Sequence, residues 1–166
     1  MFLQELLEKF GFSASFAGDV ALVFLFAAFS VAFGLLVGRF KLINVLINVY
    51  IAIAILGVIP VDILSFHSSS NIILFAIIIL MLNLVDNHLF DIHISGTGNS
   101  FFWRLFVMSF FEMGLIFSTV LAMLPVKFVL SYISVDAYGY FTEPYARLFW
   151  MIIPLVFLIF INKKQK

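Results

Sequence analysis

Long apolar runs alternate with short polar segments along the chain. A membrane-spanning helix needs about 20 predominantly apolar residues, and five runs have roughly that length and character. These runs cover residues 16–38, 42–64, 72–90, 102–124 and 145–161. The fifth run is the shortest and contains Pro154. The pattern predicts an all-α integral membrane protein: a polytopic bundle of five transmembrane helices, or of four if the last run is re-entrant.

The composition supports a membrane environment. The chain has 166 residues, of which 64% are hydrophobic and 11% are charged. Soluble domains are on average roughly half apolar and about a quarter charged. A soluble protein of this length could not bury so much apolar surface, because its surface is large relative to its volume. The lipid bilayer is therefore the expected partner of the apolar helix faces.

Charge and cysteine content exclude other classes of protein. The formal net charge is zero, so no basic surface indicates nucleic-acid binding and no nucleic-acid partner is expected. The sequence has no cysteine, which excludes disulfides, thiolate metal sites and a cysteine nucleophile.

Two regions differ in their apolar pattern. Within residues 1–13, the segment FLQELLEKF places its apolar residues on one helical face and its Gln, Glu and Lys residues elsewhere. This arrangement is typical of an amphipathic helix that lies on the membrane surface. Residues 14–166 are expected to form a single transmembrane helical domain, since no internal repeat or linker divides them.

Basic residues indicate how the helices are oriented. Arg39 and Lys41 lie between the first two apolar runs, and cations are stable at the water boundary but costly in the middle of a bilayer. They therefore predict a tight turn between two antiparallel helices. Arg104 and the basic C-terminal tail fall on the same side, so the positive-inside rule predicts an outside N-terminus and a cytoplasmic C-terminus.

Glu112 is the main candidate for chemistry, because it lies near the middle of the fourth apolar run. An acid at that depth is costly unless it is neutral, paired or facing water. Helical spacing places Ser109, Ile116 and Thr119 on its face. One interpretation is a proton or cation site. The other is a protonated acid that is hydrogen-bonded inside the bundle or at a subunit interface, and a single acid without a charged partner favours it.

Three amides form a second group of buried polar candidates. Asn44 and Asn48 lie one turn apart in the second run, and Asn83 lies deep in the third. Amide side chains hydrogen-bond between membrane helices, typically for about 1 kcal/mol or less, so helix packing is the default interpretation. The functional alternative is a polar route shared with Glu112, which requires the second, third and fourth helices to converge.

Small residues recur at four-residue spacing in two helices. Such residues let helix backbones approach closely, and the resulting dispersion contacts drive association in lipid. The two series are Ser30, Gly34 and Gly38 in the first run and Gly114, Ser118 and Ala122 in the fourth. We interpret both as helix-packing seams, within the chain or between subunits.

The loop VDNHLFDIHISGTGNS is the most polar stretch on the expected cytoplasmic side. Asp86, His88, Asp91 and His93 supply oxygen and imidazole groups of the kind that bind divalent metals. Their spacing matches no metal-binding pattern with a defined geometry, and a solvated cap at the membrane surface is the favoured interpretation. We therefore expect no metal, no cofactor and no catalytic residue. A membrane enzyme would require these four side chains to act together.

The segment DVALVFLFAAFSVAFGLLVGRFKLINVLINVYIAIAIL resembles the beginning of the colicin V production protein family. Members open with an Asp, an apolar span, a Gly-x-x-x-Gly sequence beside aromatic and basic residues, and a second span. The matching positions are Asp19, Gly34, Gly38, Arg39 and Phe40. The order of loops and spans also matches in outline over residues 19–125, although the sequence entering the fourth span shares only Arg104 with the family pattern. The resemblance implies a small inner-membrane protein without known catalytic residues that acts in envelope function, secretion or assembly of a larger apparatus.

These observations favour a non-enzymatic scaffold or accessory subunit of a bacterial envelope or secretion-type complex. Most of the chain is apolar, and its polar residues are spread one or two per helix, which suits lateral association with other membrane subunits or with a second copy. The alternative is a proton- or ion-coupled transport component in which Glu112 titrates and Asn44, Asn48 and Asn83 line its route. We expect a multi-pass protein of the bacterial inner (cytoplasmic) membrane in either case.

Overall fold

The computed structural model describes residues 14–59, 70–85 and 99–163, and the regular structure in these ranges is entirely helical. The helices are α1 (Ala14–Val58), α2 (Ser70–Val85), α3 (Asn99–Met123), α4 (Val126–Val129), α5 (Val135–Thr142) and α6 (Pro144–Lys163). The all-α prediction is therefore confirmed for the described residues. The amphipathic helix predicted within residues 1–13 lies outside them.

Two helical segments are long and apolar enough to cross a membrane, namely Lys41–Val58 and Trp103–Met123. Helix α5 and the segment Pro144–Phe160 pass the same test together, although a bend of 51° separates them, so the number of candidate spans rises to three if this pair is one span. Val23–Gly38 and Ser70–Val85 are apolar but shorter. The structure thus supports part of the five-span expectation, and the described residues alone do not supply five full spans.

Gly38 divides α1 into two arms. Its φ of 72° and ψ of 169° lie in a region of backbone space that is essentially restricted to glycine. The first arm runs antiparallel to α3, because Phe26 contacts the rings of Phe110 and Phe117 whereas the later Gly34 lies against Ser109. The second arm runs parallel to α3, since the C-terminal ends of both segments line one cavity. The two arms are therefore antiparallel, and the turn lies immediately before the basic residues that predicted it.

The larger core cluster joins the second arm of α1, α2 and α3. Its least exposed side chains include Leu42 and Leu46 on α1 and Met108 and Leu115 on α3. Phe75 is the buried contribution of α2. The second, third and fourth apolar runs of the sequence therefore converge on a shared core.

A second, aromatic cluster joins the first arm of α1 to α3, α5 and α6. Phe26 is buried and meets Phe110 edge to face, with ring centroids 4.9 Å apart. Trp150 of α6 stacks on Phe141 of α5 at 5.5 Å and an interplanar angle of 9°. Trp150 also lies directly over Gly114, where an added Cβ would come within 2.0 Å of the indole ring. Only a glycine allows the indole to lie this close to α3.

The junction between α5 and α6 follows from local sequence. Ser134 caps α5 by accepting a hydrogen bond from the backbone N–H of Ala137 at 3.0 Å. Pro144 then begins α6, a position where its missing N–H costs nothing and its fixed φ suits the helix. Ser118 of α3 donates a hydrogen bond to the carbonyl of Phe141 at 2.6 Å and so holds α5 against the bundle.

The turn at Gly38 generates a stability prediction. We expect Gly38→Ala to lower the free energy of unfolding by about 1–3 kcal/mol, because a Cβ is strained at this φ and ψ. The measurement is unfolding of the purified protein in mixed micelles by increasing SDS, followed by circular dichroism.

Gly57→Ala is the matched control, since Gly57 is an ordinary helical glycine with no described atom within 4 Å of an added Cβ. This variant should leave stability unchanged or raise it slightly, because glycine is a poor helix former. Equal destabilisation by both variants would contradict a special role for the conformation of Gly38.

Candidate functional site

The candidate site is centred on Glu112, in the middle of α3. Its side chain has an exposed fraction of 0%, and neither carboxyl oxygen has a hydrogen-bond partner within the described part of the chain. Glu112 shares the buried face of α3 with Met108 and Leu115, which belong to the larger core cluster. An ionised carboxylate without a partner in such surroundings is strongly disfavoured. The group is therefore suited to taking up a proton or a cation that neutralises it.

The polar stripe expected on this face of α3 is present but does not hydrogen-bond to the acid. Ser109 and Thr119 are both buried, and Ile116 is partly buried between them. The hydroxyl of Ser109 donates to the carbonyl of Leu105 at 2.8 Å, and that of Thr119 donates to the carbonyl of Leu115 at 2.8 Å. Because both hydrogens are used inside the helix, the two oxygens offer only lone pairs to their surroundings.

Tyr50, on the second arm of α1, is partly buried and packs against the larger core cluster. Its hydroxyl donates a hydrogen bond to the carbonyl of Met151 on α6. That carbonyl lies in the turn before Pro154, which is buried and lacks an N–H of its own. The sequence analysis did not single out Tyr50. The available signal was a tyrosine inside an apolar helix, because its hydroxyl must find a partner when it is buried.

Two of the three amides connect α1 to α2, and none of the three hydrogen-bonds to the acid. Asn48 donates to the side-chain oxygen of Asn83 at 3.1 Å, and Asn83 donates to the carbonyl of Ile79 at 3.0 Å. Asn44 is buried one turn before Asn48. Asn48 and Tyr50 are two residues apart, so they lie on nearly opposite sides of the helix. The polar route predicted between the amides and Glu112 is therefore not formed by hydrogen bonds among the described residues.

A cavity of about 270 Å³ lies between the ends of α1, α2, α3 and α6, and we call it the end cavity. Its lining residues are Ile53, Leu56, Gly57, Asn71, Ser118, Thr119, Met123, Arg147 and Met151. Thr119 is two helical turns from Glu112, or about 10 Å along the helix axis. Met151 both lines the cavity and accepts the hydrogen bond from Tyr50. The sequence analysis missed Asn71 and Arg147, because only the fold places them beside α3.

The small-residue seams have distinct roles. A Cβ at Gly34 would lie 2.3 Å from the hydroxyl of Ser109, so α1 and α3 approach closely there. Ser30, one turn earlier, is fully buried and donates to the carbonyl of Phe26 at 2.9 Å. At Gly38 a Cβ would meet no described atom within 4 Å, so no packing contact within the described chain is seen there, and its positive φ makes the turn; packing between subunits at Gly38 stays a prediction.

On α3, the second seam behaves as a packing surface at two of its three positions. Gly114 lies against Trp150, and Ser118 hydrogen-bonds to Phe141, as described above. Ala122 is partly buried.

The basic residues used for the orientation are only partly described. Lys41 is exposed and Arg104 is partly buried, while the side chain of Arg39 lies outside the described part of the structure. The turn of α1, the beginning of α3 and the end of α6 lie at the same end of the bundle, because α6 runs antiparallel to α3. Which end faces the cytoplasm stays a prediction.

The candidate metal ligands lie within residues 86–98, which are outside the described ranges. Among the described residues, no group of three or more His, Cys, Asp or Glu side chains could hold a metal ion.

Comparison with family models, with curated proteins and with solved structures gives no match to this chain. The resemblance to the colicin V production protein family therefore stays a prediction. The function has to be inferred from the geometry of the helices and their polar residues.

The amide pair generates a quantitative prediction. Asn48→Ala and Asn83→Ala should each destabilise the protein, and a double-mutant cycle should give a coupling free energy of up to about 1 kcal/mol, as found for hydrogen bonds between membrane helices. The free energy of unfolding in SDS mixed micelles is measured for the wild type, the two single variants and the double variant.

The control cycle combines Asn83→Ala with Ser134→Ala, since Ser134 caps α5 and shares no described partner with Asn83. Its two effects should add. A coupling in the control cycle as large as that of Asn48 with Asn83 would argue against a specific interhelical bond.

Proposed function

We propose that the protein is a non-enzymatic component of a proton- or cation-coupled membrane transport system, in which Glu112 is the titrating group. The observation that carries the proposal is the carboxyl of Glu112, which is fully buried at the centre of the helices and has no described hydrogen-bond partner. Ionisable residues at such depth mark ion or proton pathways by default.

Two observations weigh against the two structural explanations of this acid: its burial and its lack of a described hydrogen-bond partner. A carboxyl at a subunit interface would be exposed on the surface of a single chain, whereas Glu112 is covered by its own chain. A protonated acid that only tied helices together would donate a hydrogen bond, and neither oxygen makes one within the described residues. A group that exchanges its proton or cation during function fits both observations.

The membrane arrangement that we propose has five spans, in the bacterial inner membrane, with a cytoplasmic C-terminus. The first arm of α1 is helical from Ala14 to the turn at Gly38, or about 36 Å at 1.5 Å per residue, which is long enough to cross the hydrocarbon core. Helix α2 is 16 residues long, or about 24 Å, and is the shortest of the proposed spans. The positive-inside rule supports the orientation through Lys41 and Arg104.

Within this arrangement the residues around Glu112 have definite roles. The larger core cluster keeps bulk water from the acid, which strengthens its response to any charge that approaches. Tyr50 links the second arm of α1 to α6, because its hydroxyl donates to the carbonyl of Met151 in the turn before Pro154.

The decisive prediction concerns Glu112→Gln, which keeps the size of the side chain but cannot ionise. Proton flux measured with a pH-sensitive dye in proteoliposomes under an imposed potential should fall to the background of empty liposomes. The elution volume of the purified protein should be unchanged, because the neutral amide of glutamine has nearly the same size as a protonated glutamate side chain and is tolerated in its place.

Glu143→Gln is the matched control, since Glu143 is an exposed glutamate that ends α5. It should transport like the wild type. Wild-type flux in Glu112→Gln would rule out the transport proposal.

The second candidate is a non-enzymatic scaffold or accessory subunit of an envelope complex, and a surface of α6 favours it. In the single chain this helix leaves a row of large apolar side chains exposed: Leu148, Phe149, Ile152, Leu155, Val156, Ile159 and Phe160. Such a face suits packing against lipid or another membrane subunit. The resemblance to the colicin V production protein family supports the same proposal.

Extraction of the tagged protein in a mild detergent, with co-purifying proteins identified by mass spectrometry, tests this candidate. Stoichiometric membrane partners that are lost in the double variant Leu155→Ala and Ile159→Ala are the expected result. The control is Ile73→Ala with Ile77→Ala, which makes the same kind of change on the exposed face of α2. Recovery of the protein alone, or of partners that neither variant affects, would contradict it.

A further inference from the structure

The end cavity lies where the two longest candidate membrane spans end. The span Lys41–Val58 contributes Gly57 to its lining, and the span Trp103–Met123 contributes Met123. Tyr145, in the first turn of the neighbouring α6, has an exposed fraction of 86%, and tyrosines are enriched where a membrane meets water. In the proposed membrane arrangement the cavity is therefore at the depth of the lipid headgroups.

Part of the cavity lining suits an anion. Arg147 is an exposed lining residue whose guanidinium is always positive and presents its N–H donors in a planar fork that matches a phosphate group. Asn71 adds amide donors to the same lining. Arg147 and Asn71 lie in the first turns of α6 and α2, and the N-terminal turns of helices carry partial positive charge. A phosphate ester would be bound by these groups.

Another part of the lining suits a cation that donates hydrogen bonds. The hydroxyl hydrogens of Ser118 and Thr119 are both donated to backbone carbonyls, so their oxygens offer only lone pairs to the cavity. The C-terminal ends of α1 and α3 reach the cavity, and such ends carry partial negative charge. The side-chain oxygen of Asn71 is buried and has no partner in the described part of the chain. An ammonium group would donate its hydrogens to these acceptors.

A ligand that carries both charges matches this lining better than a single ion does. A simple anion would leave the buried oxygen of Asn71 without a donor, and a simple cation would lie beside the fixed charge of Arg147. In a phosphoethanolamine group a short carbon link joins the phosphate to a primary ammonium, so each charge can reach its own part of the lining. The cavity volume of about 270 Å³ equals that of several waters at ~30 Å³ each, which is enough for such a group.

We propose that the end cavity binds the headgroup of phosphatidylethanolamine. The phosphate binds Arg147, and the ammonium donates to the oxygens of Ser118, Thr119 and Asn71. The source is a membrane lipid and not a soluble metabolite, because the cavity lies at headgroup depth. The inference uses the proposed membrane arrangement but does not depend on transport through Glu112.

Binding of lipids to the purified wild-type protein tests the proposal without any substitution. Native mass spectrometry of the delipidated protein in detergent compares phosphatidylethanolamine, phosphatidylcholine and phosphatidylglycerol with identical acyl chains. Phosphatidylcholine has a quaternary ammonium without N–H donors, and phosphatidylglycerol has no ammonium. Each should therefore bind about tenfold or more weakly than phosphatidylethanolamine, as expected when a hydrogen bond to a charged group is lost. Soluble phosphoethanolamine should compete only weakly with the lipid.

Substitutions then separate the two charges of the headgroup. Arg147→Gln should weaken the binding of phosphatidylethanolamine about tenfold or more, because the phosphate loses its charged donor. Lys127→Gln is the matched control, since Lys127 is an exposed cation on α4, at the same end of the bundle, and is not among the described lining residues. It should bind this lipid like the wild type.

Thr119→Val removes one acceptor of the ammonium with little change in size. It should weaken phosphatidylethanolamine binding several-fold and leave phosphatidylglycerol binding unchanged. Thr142→Val is its control, because the hydroxyl of Thr142 makes the same kind of bond inside a helix, to the carbonyl of Tyr138 at 2.8 Å, and Thr142 is not among the described lining residues. It should change neither affinity.

Each contrary outcome overturns a stated part of the proposal. Equal affinity for the three lipids would rule out a headgroup site, and equal affinity for phosphatidylethanolamine and phosphatidylglycerol would rule out the ammonium site. Equal effects of Arg147→Gln and Lys127→Gln would reduce the binding to general surface charge. Displacement of the lipid by an equal concentration of soluble phosphoethanolamine would overturn the lipid source. Glu112→Gln should bind phosphatidylethanolamine like the wild type, so the lipid site and the transport function can fail separately.

Discussion

The close approach of neighbouring helices to α3 is the constraint on which the rest of the structure depends. Both arms of α1, together with α2, α5 and α6, pack around this helix, and two contacts leave no room for a larger side chain: Gly34 against Ser109 and Gly114 against Trp150. Lipid provides little hydrophobic drive for association, so dispersion between closely packed surfaces has to hold membrane helices together. The helix that contacts all of these neighbours is also the one that carries Glu112.

This central position explains why the carboxyl of Glu112 is fully buried. Side chains on the outer helices can reach water or headgroups, whereas Glu112 shares a buried face of α3 with Met108 and Leu115. Its burial costs stability, and the aromatic cluster around Phe26 and Trp150 offsets that cost within the same helices. The full burial of this acid, without a described hydrogen-bond partner, is the observation that supports the proposed proton or cation site.

The turn of α1 shows how far local sequence determines structure. Two cations following a glycine predicted a break between antiparallel helices, and the break occurs at Gly38, because only glycine adopts that backbone conformation at no cost. The same glycine had been grouped with Gly34 as a packing residue, because a four-residue spacing cannot distinguish a contact from a turn; at Gly38 the structure shows the turn and no described neighbour within 4 Å. The hydrogen bond between Asn48 and Asn83 could not be predicted, because the sequence alone does not show which neighbouring helix each amide contacts.

The sequence by itself determined the all-helical architecture, the apolar character of the helices and the position of Glu112 in the middle of an apolar helix, because these follow from composition and from helical periodicity alone. Only the tertiary structure decided what surrounds that acid. It brought Tyr50 from α1 and Met151 from α6 together, and it placed Asn71 and Arg147 beside Thr119 in the end cavity. These residues are up to about a hundred positions apart, and contacts over such separations depend on which helix faces meet, which no local pattern encodes.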